Sequence, residues 1–149
     1  VLWIEDEADT SLQDYVEPVF AAGYLLDIAV NATDAARLLQ ENRYDVVIVD
    51  LFIHAGTDKA WQNLERDYAK YLGLELLRAI FAPGTSTISL EIPKNWLPTR
   101  NVAVYTVVAA PKVHAEIRSL GITDIYVKRL SDLTVLKDII DAKLAQQSG

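Results

Sequence analysis

The chain has 149 residues, 51% of them hydrophobic, enough for one compact domain with a sizeable core and too few to call for a second. Its 21 acidic residues outnumber its 14 basic ones for a net charge of −7, and no basic stripe is present, which argues against a phosphate-backbone partner. Cysteine is absent, no apolar run approaches the length of a membrane span and no signal-like stretch opens the chain, so disulfides, thiolate metal sites and membrane insertion are excluded and a cytoplasmic protein is expected.

The first apolar run, VLWI, reads as a buried strand and ends on Glu5, Asp6 and Glu7. Leu12, Tyr15, Val16, Val19 and Phe20 then recur at helical spacing, with Gly23 as the stop and Pro18 as an expected kink. A strand near Leu25 to Val30 follows. The next helix takes Thr33 as its cap and buries Ala36, Leu38 and Leu39. VVIV is the third strand and ends on Asp50.

Residues 54–72 are long for a strand-to-helix connection, and Trp61, Leu64, Tyr68 and Tyr71 fall at helical intervals, predicting an added helix. GLELLRAIF, from Gly73, is the next helix. TISLEI alternates polar Thr87, Ser89 and Glu91 with apolar Ile88, Leu90 and Ile92, the pattern of a half-exposed strand or hairpin arm. Pro93 and Pro98 bracket a loop that holds Trp96. VAVY is the fourth main strand and ends on Thr106. Pro111 starts a helix whose inward residues are Val113, Ile117 and Leu120, with Gly121 at its end. IYV is the last strand and runs into Lys128. Ser131 caps the final helix, whose apolar face is Leu133, Leu136, Ile140 and Leu144.

Strands alternating with helices, without repeats or Gly/Ser-rich linkers, predict a doubly wound α/β domain with a parallel sheet. Such sheets bind ligands at the carboxyl ends of their strands. Acidic residues, a hydroxyl and an ammonium should therefore meet at one edge. Taken singly, each has a plainer reading. An acidic pair after a strand is most often a solvated loop, Asp50 a cap or turn residue, Lys128 a surface lysine and Thr106 an ordinary strand residue. His54 and His114 read as surface or packing residues, since neither has partners at metal-ligand spacing, and Trp61, Tyr68 and Tyr71 as core.

Together, VLWIEDE, DVVIVDL, VAVYT and DIYVK resemble the four signature segments of the receiver domains of bacterial two-component response regulators, and GLELLRAI resembles that family's third helix. The separations of 44 positions between Asp6 and Asp50 and 22 between Thr106 and Lys128 are similar to the family's. The resemblance covers nearly all of residues 1–149 and leaves segments of about 54–72 and 84–100 as insertions. It implies a five-stranded, CheY-like three-layer sandwich with an added helix and a possible extra strand or hairpin.

It also implies a function. Asp50 would be the nucleophile that takes a phosphoryl group as an aspartyl phosphate. Mg²⁺ would be held by Glu5, Asp6 and Asp50, with Phe52 added to the metal set, because Mg²⁺ prefers oxygen ligands and crowded carboxylates need a cation. Lys128 would pair with one phosphoryl oxygen and the Thr106 hydroxyl with another, drawing the adjoining loop inward. The domain would be a signalling module, acting on nothing beyond its own phosphorylation and slow dephosphorylation. Its expected partners are a histidine kinase or histidine phosphotransfer protein and a downstream protein target, with a homodimer possible and no direct nucleic-acid or membrane contact. Trp61 and Trp96, on the two insertions, are candidates for partner contact.

The sequence departs from the family at four places. Arg129 follows Lys128 where receivers carry proline, so no cis peptide is expected there. Ile125 occupies the place of the aromatic switch residue, leaving neighbouring Tyr126 to contribute. Val107 replaces a small residue and is expected to crowd the phosphoryl site, and His54 stands near the place of a loop proline. These departures support a second reading, a pseudo-receiver that binds proteins without being phosphorylated. A nucleotide or flavin enzyme is disfavoured because acidic EDEAD follows the first strand where backbone phosphate binding needs glycine. An aspartyl-nucleophile hydrolase lacks its Asp-x-Asp pair after that strand. A chain without Met that opens inside a strand pattern is also expected to be preceded by further residues, with flanking domains possible.

Overall fold

The computed structural model describes residues 1–67, 70–93, 96–129 and 132–148. Five strands form one parallel sheet in the order β2-β1-β3-β4-β5, with β1 at Leu2–Ile4, β2 at Asp27–Ala29, β3 at Val47–Val49, β4 at Val102–Thr106 and β5 at Ile125–Val127. The three central strands are buried throughout, while the edge strands β2 and β5 are partly exposed. That is why LWI, VIV and VAVYT carry almost no polar residue: helices cover both of their faces.

Among the described residues six helices flank the sheet: α1 (Val16–Ala21), α2 (Ala32–Glu41), α3 (Lys59–Asp67), α4 (Leu72–Phe81), α5 (Pro111–Ser119) and α6 (Val135–Ser148). Alternate strand residues serve opposite cores. Leu2, Ile4, Val47, Val49, Val102 and Val104 pack with α2, α3, α4 and α5, whereas Trp3, Ile48, Ala103 and Tyr105 pack with α1 and α6. The result is the expected three-layer sandwich. The helix anticipated in 54–72 is α3, and its Trp61 is buried in the first core. Tyr71 packs against that core, while Tyr68 lies outside the described residues.

Several local expectations are corrected. The segment expected as one kinked helix is a 3-10 turn at Gln13–Tyr15 followed by the short α1. Pro18 consequently falls in a first turn, where its missing N–H forfeits no helical bond, and Phe20 is exposed. The cap of α2 is Asn31 instead of Thr33: Asn31 Oδ1 accepts the Asp34 N–H at 2.8 Å, and the Thr33 hydroxyl donates to the Ala55 carbonyl at 2.7 Å. Leu133 lies before α6 and is exposed, whereas Leu136 and Ile140 are fully buried. The expected cap Ser131 lies outside the described residues.

TISLEI is not a strand. Its alternation is real in burial, with Ile88 inward and Thr87, Ser89 and Glu91 outward, but the segment lies over the helical layer and pairs with neither sheet edge. The Glu91 N–H is instead satisfied by Gln40 Oε1 at 2.9 Å. Alternation reports a half-buried extended chain, and a ladder needs a free edge as well.

Candidate functional site

The backbone ladder places the polar strand endings side by side. The Glu5 N–H donates to the Ala29 carbonyl at 2.9 Å, the Asp50 N–H to Ile4 at 2.9 Å and the Lys128 N–H to Thr106 at 2.8 Å. Glu5, Asp50 and Lys128 thus each begin the loop beyond the carboxyl end of a strand. The strand order reverses direction between β1 and β3, the crevice where open α/β sheets bind ligands.

In that crevice one carboxylate oxygen from each of Glu5, Asp6 and Asp50 lies within 4.8 Å of the others. Glu5 and Asp50 are 1% and 3% exposed, and Asp6 is the member open to solvent. Lys128 Nζ donates to Asp50 Oδ2 at 2.9 Å and also to Glu5 Oε2, with its side chain nearly buried. The other Asp50 oxygen accepts the Phe52 N–H at 3.3 Å. Lys128 Nζ also lies 5.6 Å from the centroid of the Tyr105 ring, a contact that no motif announces.

Burial sets the electrostatics. It pushes the Glu5 carboxyl up to about 9, with Asp6 and Asp50 adding to the shift and Lys128 opposing it. Burial works against the Lys128 charge, but Asp50 and Glu5 outweigh it and hold the amine above its ordinary range. One ammonium thus leaves the three acids under-neutralised, and a proton on Glu5 makes up part of the difference. A dication at the solvent-facing side of Asp6 would take that role. An all-oxygen donor set of this kind fits Mg²⁺, with Glu5, Asp6 and Asp50 as the acidic ligands and Phe52 able to offer only its main-chain carbonyl.

Thr106 is fully buried at the end of β4, and its Oγ1 accepts the Val108 N–H at 3.2 Å. Among the described residues its hydroxyl makes no hydrogen bond to the acidic group. The structure therefore gathers Glu5, Asp6, Asp50 and Lys128 into one contact set and places Thr106 on the neighbouring strand. Val107 is 61% exposed at the same end of the sheet. Every described peptide bond is trans, including that between Lys128 and Arg129.

Tyr126 cannot stand in for an aromatic residue at position 125. Ile125 packs with the α2–α5 layer and Tyr126 with the α1 and α6 layer, since neighbours on a strand face opposite ways. Two further residues at the site escaped the sequence reading. His54 is exposed, as expected of a surface residue, yet its Nε2 is 4.0 Å from Asp6 Oδ2 and its Nδ1 is 3.6 Å from Glu65 Oε2 on α3. Gly73, near the start of α4, donates its N–H to the Leu51 carbonyl at 3.1 Å, and a Cβ there would fall 2.1 Å from the Asp50 carbonyl oxygen. Only glycine lets α4 pack this closely on the Asp50 turn.

No protein-family model matches the chain, and no curated protein does. Many solved structures share its fold. A CheY-like response regulator receiver domain protein from Methanospirillum hungatei JF-1 is 17% identical with a TM-score of 0.64, over 99% of this chain and 94% of the other. A two-component response regulator from Clostridium difficile is 18% identical with a TM-score of 0.65, over 99% and 97%. A response regulator protein from Burkholderia pseudomallei, solved with a phosphorylated aspartic acid, calcium ion and citrate, is 17% identical with a TM-score of 0.56, over 99% and 74%. The fold is that of the CheY-like response-regulator receiver domains.

Proposed function

We propose that residues 1–149 form a phosphoacceptor receiver domain of a two-component phosphorelay. The observation that carries this reading is the contact set in which Lys128 Nζ bonds Asp50 and Glu5 while Asp6 completes a cluster of three carboxylates. Asp50 is the nucleophile: one of its oxygens attacks the phosphorus of a phospho-histidine donor, the P–N bond breaks, and the released imidazole nitrogen takes up a proton. Glu5, Asp6, Asp50 and the main-chain carbonyl of Phe52 would hold Mg²⁺, which would supply positive charge to neutralise the transferring group. Lys128 supplies a positive charge at one phosphoryl oxygen, and the Thr106 hydroxyl turns from the Val108 N–H to meet another.

The donor is a histidine kinase or histidine phosphotransfer protein, and the output is a change of shape read by a protein partner. The domain acts on itself alone and works in the cytoplasm; among the described residues no helix is long and apolar enough to cross a membrane. The segments of about 54–72 and 84–100 are insertions on this framework. Support comes from the fold shared with response regulators and from the Burkholderia pseudomallei protein, whose structure was solved with a phosphorylated aspartic acid and a calcium ion. Incubation with Mg²⁺ and a small phosphodonor, followed by intact-mass measurement, tests the reading: a gain of one phosphoryl group is expected.

A pseudo-receiver that binds proteins without being phosphorylated is the second reading. Ile125 favours it, because Tyr126 faces the other core and cannot supply an aromatic switch at that position. The same measurement separates the two, since a pseudo-receiver gains no mass.

A further inference from the structure

His54 stands four residues beyond Asp50, on a loop fixed from two sides. Its carbonyl accepts the Ala32 N–H at 2.8 Å, and the Ala55 carbonyl accepts the Thr33 N–H at 3.0 Å and the Thr33 hydroxyl at 2.7 Å. From the other side, Glu65 Oε2 on α3 accepts the Ala55 N–H at 2.9 Å. The side chain is 71% exposed, so packing does not explain where it points.

Its ring nevertheless lies between two carboxylates, with Nε2 4.0 Å from Asp6 Oδ2 and Nδ1 3.6 Å from Glu65 Oε2. Both separations are too long for hydrogen bonds. Two atoms bonded at about 2.1 Å to one dication lie about 3.0 Å apart at neighbouring octahedral positions and about 4.2 Å apart at opposite ones. The 4.0 Å gap between Asp6 and His54 is within that reach, near the span of an opposite pair. On the far side of the ring, Glu65 occupies the place of the carboxylate that commonly orients a metal-bound histidine through its second nitrogen.

The geometry points to His54 Nε2 as a further ligand at the Asp6 side of the acidic site, recruiting a first-row transition dication such as Mn²⁺, with Glu65 as the positioning residue for the ring. This rests on reading Glu5, Asp6 and Asp50 as an ion site. Carboxylates alone favour Mg²⁺, whereas an added imidazole shifts preference toward transition ions. It also ties ion binding to α3, because Glu65 belongs to that helix.

The test is electron spin-echo spectroscopy of the full chain loaded with Mn²⁺, with affinities measured by titration. The wild-type protein should show coupling of Mn²⁺ to an imidazole ¹⁴N that changes to the ¹⁵N pattern when histidine is labelled. The coupling should vanish in His54→Ala, with Mn²⁺ affinity falling about tenfold or more and falling by more than Mg²⁺ affinity; Glu65→Gln should also weaken Mn²⁺ about tenfold. Mn²⁺ bound tightly at a site lost in Asp50→Asn but without nitrogen coupling would overturn the role of His54 and leave the acidic site standing. Failure of the wild-type chain to bind Mn²⁺ would overturn both.

Discussion

Gly73 and Asp50 meet backbone to backbone: a side chain as small as a methyl at Gly73 would reach to 2.1 Å from the Asp50 carbonyl oxygen and 2.7 Å from the Leu51 Cα. No flexible side chain can yield there. The Asp50 turn is thus held in place by the start of a helix 23 residues further along the chain. Gly73→Ala should cost about 2 kcal/mol or more of stability through overpacking and should move the Asp50 carboxylate away from Lys128. Urea unfolding checks the first effect. A Lys128-dependent phosphorylation rate checks the second.

Lys128 already bonds both Asp50 and Glu5, so under the proposed function it would compete with a metal ion for their charge while being needed for the incoming phosphoryl oxygens. Lys128→Met should therefore bind Mg²⁺ several-fold more tightly, since a nearby positive charge has gone. Its phosphorylation rate should nevertheless fall about 10²-fold, the usual order for losing one preorganised electrostatic contact. Opposite directions in calorimetric Mg²⁺ titration and in the phosphorylation time course would establish both roles.

Ion binding to the folded state alone stabilises that state by mass action. At ten times its dissociation constant Mg²⁺ should add about 1.4 kcal/mol, raising the melting temperature by roughly 3–6 °C for a chain of this size. Asp6→Asn removes the solvent-facing ligand and should abolish most of the shift. A thermal melt with and without Mg²⁺, followed by chelator, gives the readout.

Away from the site, Lys143 on α6 is 1% exposed and donates to Asp124 Oδ2 at 2.6 Å, with Gln146 donating to the same oxygen at 3.0 Å. Burial alone would raise the Asp124 carboxyl, but Lys143 and Gln146 outweigh it and hold the folded-state pKa below the ordinary value. The folded state binds this proton less readily than the unfolded state. The contribution to stability is therefore complete above about pH 4, the unfolded value, and is lost as pH falls through the folded one. Asp124→Asn should cost about 3 kcal/mol at pH 7, because it strands a buried ammonium, and the difference from wild type should narrow below pH 4. Denaturant unfolding at pH 7 and pH 3 checks it.

The sheet was legible because parallel central strands are apolar on both faces, so LWI, VIV and VAVYT announce themselves and their polar endings stand out. Glu5, Asp50 and Thr106 follow from that. The cap of α2 was misplaced by two residues because Asn31 and Thr33 are both competent and only tertiary contact with Ala55 takes the threonine away. Lys143 had a readable signal: it is three residues beyond Ile140 and seven beyond Leu136, on the same helical face. His54 had none, since its neighbours Asp6 and Glu65 come from β1's end and from α3, and only the folded chain brings them together.

The most direct test of the central claim is where phosphate attaches. After exposure to Mg²⁺ and a small phosphodonor, borohydride reduction converts an aspartyl phosphate to homoserine, and peptide mass mapping locates it. The expected result is conversion at Asp50 alone, absent without Mg²⁺ and absent in Asp50→Asn. No conversion under any donor, or conversion at another carboxylate with Asp50 untouched, would contradict the assignment of Asp50 as the phosphoacceptor.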